Sequence, residues 1–223
     1  MSKASVTIFD GLLIIVGGGN VDLESLQQLA ANGGHLVGAD GGADTIVAAG
    51  LMPEMIIGDF DSVGASDWPE TTRLLRIAEQ ETTDFDKSLY STQAPVTVAV
   101  GMTGGRFDHT LAALDAVTRQ AGERKIILVA EQDVIVALRG PFDFAVGAGQ
   151  RVSVHPVVPI HFSHSEGLVH ALDGLTLAPG GRLGSSNTAI DGPFRIVPET
   201  DAPWLLILQR ESLSALIAAL SSS

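Results

Sequence analysis

"APVTVAVGMTGGRFDHTLAALDAVTRQAG", residues 94–122, is the stretch on which the fold class turns. Its first eight residues carry valines at 96, 98 and 100, and β-branched residues in such a run predict a strand. Residues 108–122 read as a helix closed by a glycine. "KIILVAE", 125–131, reads as a further strand. Strands that alternate with helices imply a mostly parallel sheet covered on both faces.

The same alternation runs back to the N-terminus. "LLIIVGG" (12–18) is a buried strand with a glycine turn, and 21–34 is helical, with Leu23, Leu26, Leu29 and Ala30 at helical spacing. "HLVGAD" (35–40) is a strand, "ADTIVAAG" (43–50) a helix, and "EMIIGD" (54–59) and "LLRIAE" (74–79) are strands. "TDFDKSLYSTQ" (83–93) is a helix that starts at a Thr-Asp cap. Beyond residue 132 the pattern changes to short alternating or apolar runs separated by Gly, Pro and Asp-Gly turns. The expected organisation is therefore a Rossmann-like α/β domain over 1–132 and an all-β antiparallel sandwich or roll over 133–223, ending in a short helix. That last helix puts Leu213, Leu216, Ile217 and Leu220 on one face and has no basic face to suit a membrane surface.

The chain has 223 residues, no cysteine and a formal net charge of −13. Disulfides, thiolate metal sites and a cysteine nucleophile are excluded. The acidic balance argues against a nucleic-acid backbone as partner. It also makes a phosphate substrate dependent on metal ions. Residues Met1 to Asp10 lack the pattern of a signal peptide, and the run at 12–19 is far shorter than the roughly 20 apolar residues a bilayer needs. A soluble, cytoplasmic protein is expected. Lysine occurs only at 3, 87 and 125, so Lys87 among acidic residues is informative.

Four segments end strands or open helices. "IGDFDSVG" (57–64) carries Asp59 and Asp61; in an extended chain both point one way, with Phe60 opposite. Paired carboxylates repel unless a cation lies between them, and hard oxygen ligands suit Mg²⁺. An Asp-Ser turn with solvated carboxylates is the alternative. "QETTDFDKS" (80–88) sets Asp84, Lys87 and Ser88 on one side of a helix, as metal or phosphate groups or as a cap with a surface ion pair; Asp86 faces solvent. "GMTGGRFDH" (101–109) puts glycines and Arg106 where backbone N–H groups and a forked donor meet an anion, with Asp108 as N-cap and His109 following. It lacks the ending of a Walker A loop. "GADGGAD" (38–44) brings Asp40 to the same sheet edge. The four histidines in 155–170 have no helical zinc spacing.

In order and spacing these segments resemble thiamine pyrophosphokinases, and "GSSNTA" (184–189) resembles that family's Ser-Asn element. The resemblance covers nearly the whole chain. It implies transfer of a pyrophosphoryl group from ATP to the hydroxyl of thiamine, giving thiamine diphosphate and AMP. It further implies Asp59, Asp61 and Asp84 as Mg²⁺-site carboxylates, with Asp40 in support. Gln80, Thr83, Lys87 and Arg106 become contacts to phosphates or substrate, Asp108 and His109 match the family's Asp-His, and Ser186 and Asn187 match its thiamine pocket. A homodimer with the active site between subunits is also implied. Trp204 and Phe194 are the aromatics available to face a thiazolium ring, or they are core. The rival readings are a pyrophosphokinase acting on another alcohol such as a hydroxymethylpterin, a Mg²⁺-dependent phosphohydrolase, and a non-catalytic ligand sensor.

Overall fold

The valine-rich run forms a strand, Val96–Val100, in which every residue is buried, as a strand covered on both faces requires. A computed structural model of the chain describes residues 6–64 and 68–222. The stretch read for a signal peptide begins outside those residues, as does Lys3. Two units divide the chain. One runs from the N-terminus to Ala116 and takes in Leu128–Glu131; the other comprises Val117–Ile127 and everything from Gln132 onward.

In the first unit the elements are β1 (Thr7–Ile8), β2 (Leu12–Val16), α1 (Leu23–Ala31), β3 (His35–Ala39), α2 (Gly42–Ala48), β4 (Met55–Gly58), β5 (Arg73–Arg76), α3 (Asp84–Ser91), β6 (Thr92–Gln93) and β7 (Val96–Val100). α4 (Phe107–Arg119) and β8 (Ile126–Val129) follow, each divided between the units. Strands pair in the order β7-β2-β3-β4-β5, all parallel. β2 lies between β3 and β7, so the winding direction reverses beside it. Loops after these strands share the carboxyl edge of the sheet, where open α/β sheets bind ligands. β5 is the edge strand and is mostly exposed, which explains its weak hydrophobic signal. α2 starts so close to β2 that a β-carbon on Gly42 would lie 1.8 Å from the Val16 carbonyl oxygen. Only glycine fits there.

In the second unit β9 (Asp133–Leu138), β10 (Phe142–Ala145), β11 (Arg151–Pro156), β12 (Ile160–Glu166), β13 (Leu175–Leu177), β14 (Gly184–Thr188), β15 (Pro193–Pro198) and β16 (Trp204–Gln209) precede α5 (Leu213–Ser221). They form two antiparallel arrays, β14-β11-β16-β9 and β10-β15-β12-β13. The arrays face one another: Phe162 of β12 meets Trp204 of β16 edge-on, with ring centroids 6.0 Å apart. The sheets of the chain are thus mixed, parallel in the first unit and antiparallel in the second. Trp204 and Phe194 are both fully buried, so the two aromatics considered for a ligand wall are core. Leu216 and Leu220 supply the buried side of α5. Among the described residues no helix is long and apolar enough to cross a membrane.

Candidate active site

Asp40 follows β3 directly, is 5% exposed and has a left-handed backbone, φ 47°. Its carboxylate accepts the N–H of Phe60 at 3.0 Å and of Ser62 at 3.2 Å. It thereby fastens the loop after β4. The extended geometry expected for 59–61 is not what forms. β4 stops at Gly58 and Phe60 takes φ 67°, so the chain turns at the aromatic residue. Asp59 and Asp61 still converge, because the Asp61 N–H donates to Asp59 Oδ1 at 3.2 Å and Asp40 holds both ends of the turn. Gly58 is part of the design: a β-carbon there would sit 2.8 Å from the Asp40 β-carbon.

Ligand oxygens of Asp40, Asp59 and Asp61 lie within 4.8 Å of one another. Burial, then the nearby charge of Asp84, pushes the Asp40 carboxyl above its ordinary pKa, and Asp61 adds to this. Asp59 is held below its ordinary pKa, first by the Gln80 amide at 2.6 Å, then by the Asp61 N–H, with help from the field of Lys87. A donor set made wholly of carboxylate oxygens, with one member pushed toward protonation by burial and then by its neighbours, fits a hard divalent cation such as Mg²⁺.

Asp84 is outside that triplet and faces Lys87, Nζ to Oδ1 3.0 Å. The Thr83 hydroxyl caps α3 by accepting the Asp86 N–H, and the Asp86 carboxylate accepts from the Thr83 N–H and hydroxyl. Asp86 is therefore half of a capping box and not the solvated side chain expected. Ser88 donates to the Asp84 carbonyl, so the i, i+3, i+4 grouping forms as read. The Lys87 side chain is 2% exposed. Burial pulls its ammonium down. The hydrogen bond to Asp84 and the fields of Asp84, Asp59 and Glu79 outweigh that, leaving its pKa raised. The chain's own cation thus sits inside the acidic rim.

Where the winding reverses, the loops after β2 and β7 interlock. Gly19 N–H donates to the Gly101 carbonyl, and β-carbons at Gly17, Gly19 or Gly101 would each come within 2.7 Å of backbone oxygen across the gap. Asn20 adds a bond to the Gly104 carbonyl. From sequence alone Gly17–Gly19 reads as a simple turn. Its signal was the triple glycine directly facing a second glycine loop on the adjacent strand.

Arg106 and Asp108 form an exposed bidentate pair, at 3.2 and 2.6 Å. α4 begins at Phe107, so Asp108 lies in its first turn and does not cap it. Its carboxylate instead accepts from Arg106 and the His109 N–H, and Arg106 chiefly lowers its pKa. His109 is exposed. In the second unit Ser186 is exposed with φ 59°, and its N–H donates to the Ser153 hydroxyl. Asn187 is buried; its amide donates to the His170 carbonyl and accepts from the His170 and Thr188 N–H groups. Among the histidines of 155–170, His164 bridges Glu166 and Asp173, and His161 bonds Thr176.

Carboxylates at the carboxyl ends of parallel strands, next to interlocked glycine loops at the reversal point, define an α/β protein of the kind that binds ligands along that edge. More narrowly, residues 26–128 match the family model described as thiamin pyrophosphokinase, catalytic domain. Thiamin pyrophosphokinase 1 of Caenorhabditis elegans is 25% identical over 150 residues, which span 60% of this chain and 62% of that protein. Thiamine pyrophosphokinase of Bacillus subtilis is 28% identical over 166 residues, 69% of this chain and 78% of that one. The crystal structure of thiamin pyrophosphokinase from Geobacillus thermodenitrificans superposes with a TM-score of 0.75 at 25% identity, covering 89% of this chain and 97% of that chain. Residues 26–128 thus resemble a thiamin pyrophosphokinase catalytic domain, and the wider chain is similar in fold to structures of that name.

Proposed function

We propose that this chain transfers a pyrophosphoryl group from ATP to thiamine. The observation that carries the reading is the convergence of Asp40, Asp59 and Asp61 at one strand edge within the matched catalytic domain. The thiamine hydroxyl oxygen bonds to the β-phosphorus of ATP, and the bond from that phosphorus to the α–β bridging oxygen breaks. AMP departs with that oxygen, and the hydroxyl proton passes to a carboxylate, for which Asp84 and Asp108 are the candidates. Asp59 and Asp61 of the triplet would hold Mg²⁺, with Asp84, which also holds Lys87, as the third carboxylate that the resemblance implies; the ion when bound supplies neutralising charge to the nucleotide phosphates. Asp40 keeps the Asp59–Ser62 turn in shape, and Gln80 orients Asp59. Thr83 fixes the start of α3. Lys87 steadies the rim carboxylates from behind. Arg106 and His109 stand exposed at the start of α4, where a forked cation and the helix N-terminus suit phosphate. Positioning and electrostatics carry the catalysis, and no covalent intermediate is required.

In this reading residues 1–132 form a Rossmann-like domain for ATP and Mg²⁺, and 133–223 a thiamine-binding domain with Ser186 and Asn187 in its pocket. The protein acts as a cytoplasmic homodimer with the active site between subunits. Incubation of the purified chain with ATP, Mg²⁺ and thiamine tests the activity. AMP should form only when thiamine is present. Phosphate release without thiamine would replace transfer by hydrolysis. Asp61→Asn should abolish turnover with the fold intact, and a folded variant of wild-type rate would remove the metal-site assignment.

A further inference from the structure

The loop between β5 and α3, residues 77–83, contains no regular structure, yet it delivers Gln80 to Asp59 and Thr83 to the start of α3. A single side chain folds it. Glu79 Oε2 accepts the N–H groups of Glu81 at 2.7 Å and Thr82 at 3.0 Å. Glu79 Oε1 accepts the Thr82 hydroxyl and, at 3.1 Å, the hydroxyl of Tyr90, which reaches back from the last turn of α3. The Thr82 hydroxyl foremost holds this carboxyl below its usual range. One carboxylate thus ties the loop to itself and to the helix that carries Asp84 and Lys87. Gln80 lies between Glu79 and the two residues whose N–H groups it binds. Its exposed amide donates to Asp59 Oδ2 at 2.6 Å.

We propose that Glu79 is a positioning residue of the candidate active site: with Thr82 and Tyr90 it knots loop 77–83 so that Gln80 is held against Asp59. Glu79 hydrogen-bonds to none of the rim carboxylates; its hydrogen-bonded route to them runs through loop 77–83 and Gln80. The inference rests on the metal-binding reading of the rim given above. Loss of an outer partner that orients a metal ligand typically costs about 10–100-fold in metal affinity or activity.

The test is binding of Mn²⁺, without nucleotide, to the full chain, measured by calorimetry or by the spin signal of the free ion. Wild type is compared with Glu79→Gln, Gln80→Ala, their double variant and Tyr90→Phe. Glu79→Gln and Gln80→Ala should each weaken Mn²⁺ binding roughly 10-fold, and the double variant should be no weaker than either alone, because both break one link. Tyr90→Phe should give a smaller loss in the same direction, and it carries the test should Glu79→Gln fail to fold. Hydrogen exchange at the Glu81 and Thr82 amides should rise in Glu79→Gln. Wild-type affinity in folded Glu79→Gln overturns the proposal, as do multiplied losses in the double variant or wild-type affinity in Gln80→Ala. A wild-type chain that binds no Mn²⁺ instead removes the rim reading itself, and with it the role of Glu79.

Discussion

Replacing Asp40 separates two contributions that the structure assigns to one residue, a left-handed backbone and a clamp on the neighbouring loop. A β-carbon at φ 47° costs roughly 1–2 kcal/mol, less for Asp or Asn than for Ala. The two N–H bonds accepted from Phe60 and Ser62 run to a carboxylate, where one such bond is worth about 1.5–3 kcal/mol, so water access to the loop leaves about 2–3 kcal/mol for the pair. Asp40→Ala loses the bonds and puts a residue less tolerant than Asp on the left-handed backbone, and should destabilise by about 2.5–4 kcal/mol. Asp40→Gly loses the bonds and sheds the strain but adds unfolded-chain freedom of about 0.5–1 kcal/mol, so it should fall short of Ala. Asp40→Asn keeps one acceptor and tolerates the conformation, and should cost about 1–2 kcal/mol. Relief of repulsion from Asp84 and Asp61 reduces all three losses alike. Urea unfolding in metal-free buffer reads the order Asn, Gly, Ala at constant slope. An Ala variant no less stable than Gly would show that the left-handed backbone is not the constraint; Asn as damaging as Ala would dismiss the clamp.

Two further outcomes follow from His164 and Thr83. His164 lies between Glu166 and Asp173, and these partners, Glu166 first, raise its pKa above 6.5. A raised folded-state value means the protonated form favours folding: that stability is complete below the ordinary histidine pKa and is lost as pH climbs through the elevated one. Unfolding midpoints between pH 6 and 8 should therefore fall more steeply for wild type than for His164→Gln, and parallel curves would contradict this. Thr83→Ala removes the cap of α3 and should cost about 1 kcal/mol, or about 2–4 °C in Tm for a chain of this length; an unchanged Tm by calorimetry would deny the cap its weight.

Much of the fold is legible because strand and helix periods are local. Val96–Val100 and Leu12–Val16 are continuous apolar runs, as strands covered on both faces must be, and the leucines of α1 recur at helical spacing. The rim was legible in residue type but less so in geometry. Alternation along an extended chain would have aligned Asp59 with Asp61. The alignment instead comes from a turn at Phe60 set by Asp40, 20 positions earlier in sequence. Asp108 resembles a cap, yet Arg106 engages its carboxylate and α4 starts one residue sooner. Asp86 reads as solvated because its partner is the Thr83 cap itself. The Glu79–Tyr90 bond spans a loop and a helix, and no spacing rule joins residues 11 apart. Trp204 and Phe194 show the opposite failure: an aromatic in a β-rich segment suits a ligand wall or a core equally, and only the packing of two sheets decides.

Lys87 has a consequence for the order of events in the life of the protein. Because an ammonium bonded to Asp84 also lowers the pKa of Asp59, part of the repulsion along this edge is met from within the polypeptide. This edge of the sheet can therefore assemble before any outside cation reaches it.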